Sequence, residues 1–356
     1  MHIRPRTAAY TNSRATLRPE IDEPTALNTG VLPGVSRSNY AGDIALTAGQ
    51  TIKNLNVTGI VSSAVANASI ENCLIIGGAS QTGSALVSAI SASNSNLTLT
   101  DCTIAPQNPY WGWMGITGAG FTALRCDIGF AQDIIEVKRT GAAYPWTTGV
   151  KVQQSYLHDM AWWTSATAGT IHPSDTETHN DVIQHFGGAG TQLIGNAMHG
   201  RYARQFGHWF VVGNSLVEPY VTVTLHSLGD ALNGPNQAIP NRGTGTEATG
   251  RYNYDDIACL QIGDELGTST DMTVHGNWFY GGGYSINGGG NANRVGASLG
   301  SWKRNRFDHA QGTQGSGGDN VYAMALGPWS GQVTVPLTGP DANVFMDNGN
   351  PIVVRY

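Results

Sequence analysis

Leu97-Thr98-Leu99-Thr100-Asp101-Cys102-Thr103-Ile104 and Phe121-Thr122-Ala123-Leu124-Arg125-Cys126-Asp127-Ile128 decide how this chain folds. Apolar and polar residues alternate through the first four positions of the first stretch and the first three of the second, the period of a strand with one buried face. A small residue then stands with an apolar residue three before it and another two after it. With that small residue as anchor, the same frame recurs as Ile70-x-x-Cys73-x-Ile75, Val152-x-x-Ser155-x-Leu157, Leu193-x-x-Asn196-x-Met198, Val211-x-x-Asn214-x-Leu216, Val274-x-x-Asn277-x-Phe279 and Trp302-x-x-Asn305-x-Phe307. Each copy reads as strand, bend, strand. Successive anchors lie 29, 24, 29, 41, 18, 63 and 28 residues apart, so most steps match one coil of a parallel β-helix, and the 63-residue step reads as about two coils plus an insertion. Stacking such coils buries an apolar column that no single coil can bury alone. The Cys anchors should stack as a thiol ladder. The Asn anchors should hydrogen-bond along the stack at a sharp bend, where Asn tolerates left-handed backbone.

Composition agrees with an all-β solenoid and narrows the partners. Of 356 residues 47 are Gly and only 12% are charged, so polarity comes from Asn, Ser, Thr and Gly, against a typical charged share of about 25%. A net charge of −6 supplies no basic field for nucleic acid. No run of eighteen apolar residues occurs, and Met1 to Thr7 lacks the apolar stretch of a secretory signal, so neither membrane insertion nor a leader is expected. Cys73, Cys102, Cys126 and Cys259 are too widely spaced for paired zinc knuckles and read as buried thiols.

Asn28-Thr29-Gly30-Val31-Leu32-Pro33-Gly34, then Ile52 to Gly59 and Ile70 to Ile75, resembles the opening coils of right-handed, pectate-lyase-like parallel β-helix proteins, including minor tail and tailspike proteins of phages that infect actinobacteria. The resemblance covers roughly residues 26–356. It implies a single-stranded right-handed β-helix and, by analogy with tailspikes, a homotrimer. It does not choose a reaction, because lyases, hydrolases, tailspikes and adhesins share the scaffold. Residues 1–25 read as an extended arm for attachment to other tail proteins, residues 26–310 as the β-helix, and residues 311–356 as terminal coil and cap, closed by strands at Val333-Thr334-Val335, Val344-Phe345-Met346 and Ile352-Val353-Val354.

Long insertions in a solenoid project from one side and wall a groove. Two are expected, near 158–178 and 227–255. Trp111, Trp113, Trp146, Trp162 and Trp163, with Tyr110 and Tyr144, are candidates to stack on sugar rings, with core packing as the plain alternative. The densest chemistry is His172-x-x-Asp175 followed by His179-Asn180-Asp181-Val182-Ile183-Gln184-His185. Asp133-Ile134-Ile135-Glu136 repeats the Asp-apolar-Ile-acid/amide pattern 48 residues earlier, so stacking should bring Asp133 to Asp181 and Glu136 to Gln184. Paired carboxylates in a groove split their pKa values, which glycoside hydrolysis requires. Asp133, Glu136, Asp175 and Asp181 are therefore the catalytic candidates, with His172 and His179 assisting and Gln184 and His185 binding. The plain alternative is inert surface polarity or turn capping.

No resident metal or other cofactor is expected, since His172, Asp175, His179 and His185 match no zinc motif. A calcium-assisted lyase would draw carboxylates from Asp255, Asp256, Asp264 and Glu265 and cations from Lys138, Arg139, Arg201 and Arg204. The reading is a virion protein of a phage tail that recognises a host-envelope glycan, with polysaccharide cleavage as the alternative and a cellular adhesin as a third role.

Overall fold

The computed structural model describes residues 17–356 except 79–84, 92–94, 108–111, 142–145, 161–179, 201–209, 213–214, 218–221, 225–257, 282–283, 289–297, 309–323, 327–332, 353 and 356. The described residues are all-β and form a parallel β-helix of three long sheets. The pre-bend sheet carries the apolar residue three before each anchor, as in Ser69–Glu71, Leu97–Thr100, Phe121–Leu124, Lys151–Gln153, Gln192–Ile194, Met272–His275 and Gly300–Lys303. The post-bend sheet carries the residue two after it, as in Thr103–Ile104, Asp127–Gly129, Tyr156–His158, Ala197–Gly200 and Trp278–Gly281. A third sheet, which the frame does not contain, closes each coil through Ala85–Ala89, Met114–Gly118, Ile135–Val137, Asp181–His185, Ala258–Ile262 and Tyr284–Gly288.

Register explains why the frame is strict. Leu99, Ala123, Val152, Leu193, Val274 and Trp302 pair in sequence through the pre-bend sheet, and Ile104, Ile128, Leu157, Met198, Phe279 and Phe307 through the post-bend sheet. These columns meet inside one continuous core. A one-residue slip would turn each column outward.

At the bend the anchors Cys73, Cys102, Cys126, Ser155, Asn196, Asn277 and Asn305 are fully buried. Cys102, Cys126 and Ser155 donate to the carbonyls of Ile70, Leu99 and Ala123 in the preceding coil. Asn196, Asn277 and Asn305 do the same through Nδ2, to Val152, Leu193 and Val274 at 2.8–2.9 Å. Each Asn Nδ2 also donates to the Oδ1 of the next Asn at 2.8–3.0 Å, in the order Asn196, Asn277, Asn305, Asn343. The left-handed residue is not the anchor but its predecessor: Asn72, Asp101, Arg125, Gln154, Gly195, Gly276 and Arg304 all have φ between 49° and 63°.

Two expectations need correction. Val211 to Leu216 is no coil: Phe210–Val212, Ser215–Val217 and Thr222–Thr224 form an antiparallel three-stranded sheet. The steps of 18 and 63 residues therefore belong to one coil, because Asn196 bonds directly to Asn277, 81 residues on. The described part of the arm, residues 17–25, also docks on the chain's own coils. Gln154 Nε2 donates to Leu17 O, Arg304 pairs with Glu20 at 2.8 Å, and Tyr280 OH donates to Glu23 at 2.6 Å. The strap then returns along the bend, with Gly30 N–H on Arg125 O and Leu32 N–H on Asn72 Oδ1. At the other end Val333–Thr334, Val344–Phe345 and Val354–Arg355 supply a last strand to each sheet, and Phe345 N–H closes a turn onto Asn350 O.

Candidate functional site: a polar ladder on the third sheet

The three longest connections, 159–180, 201–257 and 308–323, each join a post-bend strand to a third-sheet strand, so they leave from one corner. Beside that corner the two acidic patterns stack as expected. Glu136 pairs with Gln184, and Asp181 N–H donates to Asp133 Oδ1 at 2.8 Å. The step repeats one coil on, where Ala258 N–H donates to Asp181 Oδ1 at 2.9 Å.

These carboxyls do not line a groove. Asp133, Glu136 and Asp181 are 2%, 4% and 6% exposed, and the two aspartates cap the backbone of the following coil. Burial first, then the charges of Asp181 and Glu136, push the Asp133 carboxyl well above its usual range. Glu136 Oε2 accepts from Thr117 Oγ1 at 2.7 Å and from Lys138 Nζ at 2.6 Å. Alternation sends Gln184 outward as expected, whereas Asp181 stays inside the corner.

The outer position of the third sheet is a column of hydroxyls, one carboxylate and amides, in which Thr117 and Glu136 are covered. Ser88, Thr117, Glu136, Gln184, Gln261 and Asn287 occupy one register position in six successive coils. Gln184, Gln261 and Asn287 are half-buried, and Asn287 Nδ2 donates to Gln261 Oε1 at 2.9 Å. Parallel strands place such groups about 4.8 Å apart, so the column offers donors and acceptors at a regular step.

Several sequence candidates sit elsewhere. Trp113 is a core residue, and Trp146, 2% exposed, lies under the guanidinium of Arg139 with its Nε1 donating to Leu266 O, so neither ring is an open platform. His185 is fully buried, with Nε2 at 2.8 Å from Thr191 Oγ1 and Nδ1 at 2.8 Å from Ser269 Oγ. Burial lowers its pKa to about 4, so the ring is a neutral interior post rather than a binding group. Trp111, Trp162, Trp163, His172, Asp175 and His179 lie outside the described residues, as do Asp255, Asp256, Arg201 and Arg204. Among the described residues no group of three His, Cys, Asp or Glu side chains is arranged to hold a metal ion.

One buried cluster escaped the sequence reading. His158 Nε2 stands 2.6 Å from Asp127 Oδ1, and its Nδ1 stands 2.7 Å from Asp159 Oδ2. Both ring nitrogens face carboxylate oxygens, so each donates only when the ring carries two protons. The signal lay in the frame itself, which puts Asp127 one residue after the Cys126 anchor and His158 three after Ser155, on the outer side of neighbouring coils. The strap seals this cluster: a Cβ on Gly30 would meet Asp127 Cβ at 2.7 Å. It holds the fold together and reaches no surface.

Fold and site define a class, a parallel β-helix protein with a polar outer ladder. No protein-family model, curated protein or solved structure matches the chain.

Proposed function

We propose that this chain is a structural, receptor-recognising β-helix of the kind carried on phage tails, presenting the third-sheet ladder to a host-envelope glycan. The observation that carries this reading is the division of labour on that sheet. Asp133 and Asp181 cap backbone inside the corner, Glu136 is buried against Thr117 and Lys138, and the half-buried column from Gln184 to Asn287 is neutral amide. Neutral donors and acceptors at a repeating step suit the hydroxyls of an extended sugar chain. Placement in the virion rests on the resemblance of the opening coils and on residues 1–16 as the attachment segment, since 17–25 are engaged by the chain's own coils.

The test is to incubate the protein with purified envelope polysaccharide, measuring binding together with reducing ends and unsaturated uronates. Binding without products, weakened in Gln184→Ala and Gln261→Ala, is expected. Product formation abolished by Glu136→Gln would replace this reading with the cleavage one. Absence of the protein from purified particles would remove the virion placement.

A further inference from the structure

Arg139 follows the third-sheet strand Ile135–Val137, at the edge of the ladder opposite the long insertions. Its guanidinium carbon stands 4.9 Å from the Trp146 ring centroid, and its Nε is enclosed with no hydrogen-bond partner. Arg18, Arg125 and Arg304 each grip a carboxylate, at 2.7, 2.8 and 2.8 Å. Lys138, next door, is neutralised by Glu136 at 2.6 Å and sits 5.5 Å from the Phe186 ring centroid. Arg139 pairs with no carboxylate among the described residues, in a chain with only 19 Lys and Arg.

The platform beneath it is rigid. Trp146 is pinned by its bond to Leu266 O, and Gly188 lets the indole lie against backbone, because a Cβ there would meet the ring at 2.9 Å. A guanidinium held over an aromatic ring has less freedom to give up on binding, and its planar N–H fork fits the two oxygens of a carboxylate or phosphate. Phe186 N–H bonds Val137 O, which sets Phe186 beside Lys138 and places Gln184 within the same strand pair as Glu136. The cation therefore flanks the ladder rather than lying on a separate surface.

We propose that Arg139, held on Trp146, binds the anionic group of an otherwise largely neutral surface glycan, a carboxylate or a phosphate, while Gln184 and Gln261 take sugar hydroxyls. This rests on the glycan-recognition reading above. With a net charge of −6 the protein has no long-range attraction for a polyanion. The site recognises one acidic group at close range, so a polymer with sparse acidic units fits better than a densely charged one.

The experiment is isothermal titration of the full chain with three probes: a cello-oligosaccharide carrying one terminal glucuronate, the same oligosaccharide carrying one phosphate, and the neutral parent oligosaccharide. One anionic probe is expected to bind at least about tenfold more tightly than the neutral one, as one charge-assisted bidentate contact provides. Which of the two binds identifies the group. Arg139→Gln should erase the preference, and Arg139→Lys, which keeps the charge but loses the fork, should recover only part of it. The urea midpoint of each variant checks the fold. Equal binding of neutral and anionic probes, or a preference that survives Arg139→Gln, overturns the proposal, and the glycan reading still stands if Gln184→Ala weakens the neutral probe. No binding by any probe overturns both.

Discussion

Asn277 serves both neighbouring coils at once. Its Oδ1 accepts from the N–H and Nδ2 of Asn196, and its Nδ2 donates to Leu193 O and Asn305 Oδ1. Alanine there strands several buried groups at roughly 1–3 kcal/mol each with partial relaxation, so Asn277→Ala should cost about 3 kcal/mol or more in urea unfolding. Ser155→Ala strands Cys126 N–H but removes one hydroxyl rather than a whole amide, so it should cost less, about 1–2 kcal/mol. Equal losses would show that the amide ladder adds nothing beyond packing. His185 makes a pH prediction. Its folded pKa near 4 lies below the unfolded value of 6.5, so the unfolded chain binds the extra proton between those values. Stability should therefore be lost as pH falls from about 6.5 through 4, by up to roughly 3 kcal/mol, and His185→Gln should flatten that slope. Asp133 has the opposite sign: with its pKa raised, its contribution falls as pH rises above the ordinary carboxylate range. Asp133→Asn keeps an acceptor for Asp181 N–H and removes the buried charge, so at pH 8 it should unfold no more easily than the wild type. A marked loss there would mean that the charge itself is needed.

Among the elements, the strap and the bend explain each other. The strap runs along the left-handed column, and where Glu20 crosses it the column is Gly195 and Gly276, because a Cβ on either would strike Glu20. Both glycines also hold φ of +63°, which costs other residues about 1–2 kcal/mol. Gly276→Ala should lift the strap locally, speeding amide exchange of Ile21 and Asp22, whose N–H groups bond Arg18 O, while Val274 stays protected. Unchanged exchange at Ile21 and Asp22 would contradict the contact. This docking was not legible beforehand, since residues 1–25 carry no period and their partners are distant in sequence. The coils were legible because each must bury the same two columns. Asn343 escaped the frame because Pro340 stands three before it. Val211 to Leu216 entered it falsely, since alternation around a turn looks alike in a coil and a hairpin. The third sheet has no anchor, and only the Asp133 and Asp181 patterns betrayed two of its strands. At the site the stacking was foreseen but the burial was not: alternation gives the face a residue occupies, and not what covers that face.

At the scale of the molecule, a solenoid is stabilised chiefly by contacts between neighbouring coils. The stacking of the rod can then be followed past residues 201–257 without using them. The coils on either side of that gap stack directly, with Met198 paired to Phe279, Leu193 to Val274 and His185 to Ile262. The neighbouring coil crosses the same corner between Gly281 and Tyr284, which pair with Gly200 and Ala258, using only residues 282–283. Replacing 201–257 by Gly-Gly should therefore leave a folded rod with the same β circular-dichroism signature and a Tm within a few degrees of the parent, because no core column is interrupted. Binding at Arg139 should persist as well, since Arg139 and Trp146 stand at the opposite edge of the third sheet. Loss of cooperative unfolding in this deletion would show that the segment closes the core after all. An intact rod that no longer binds any glycan would move recognition from the ladder to the removed loops.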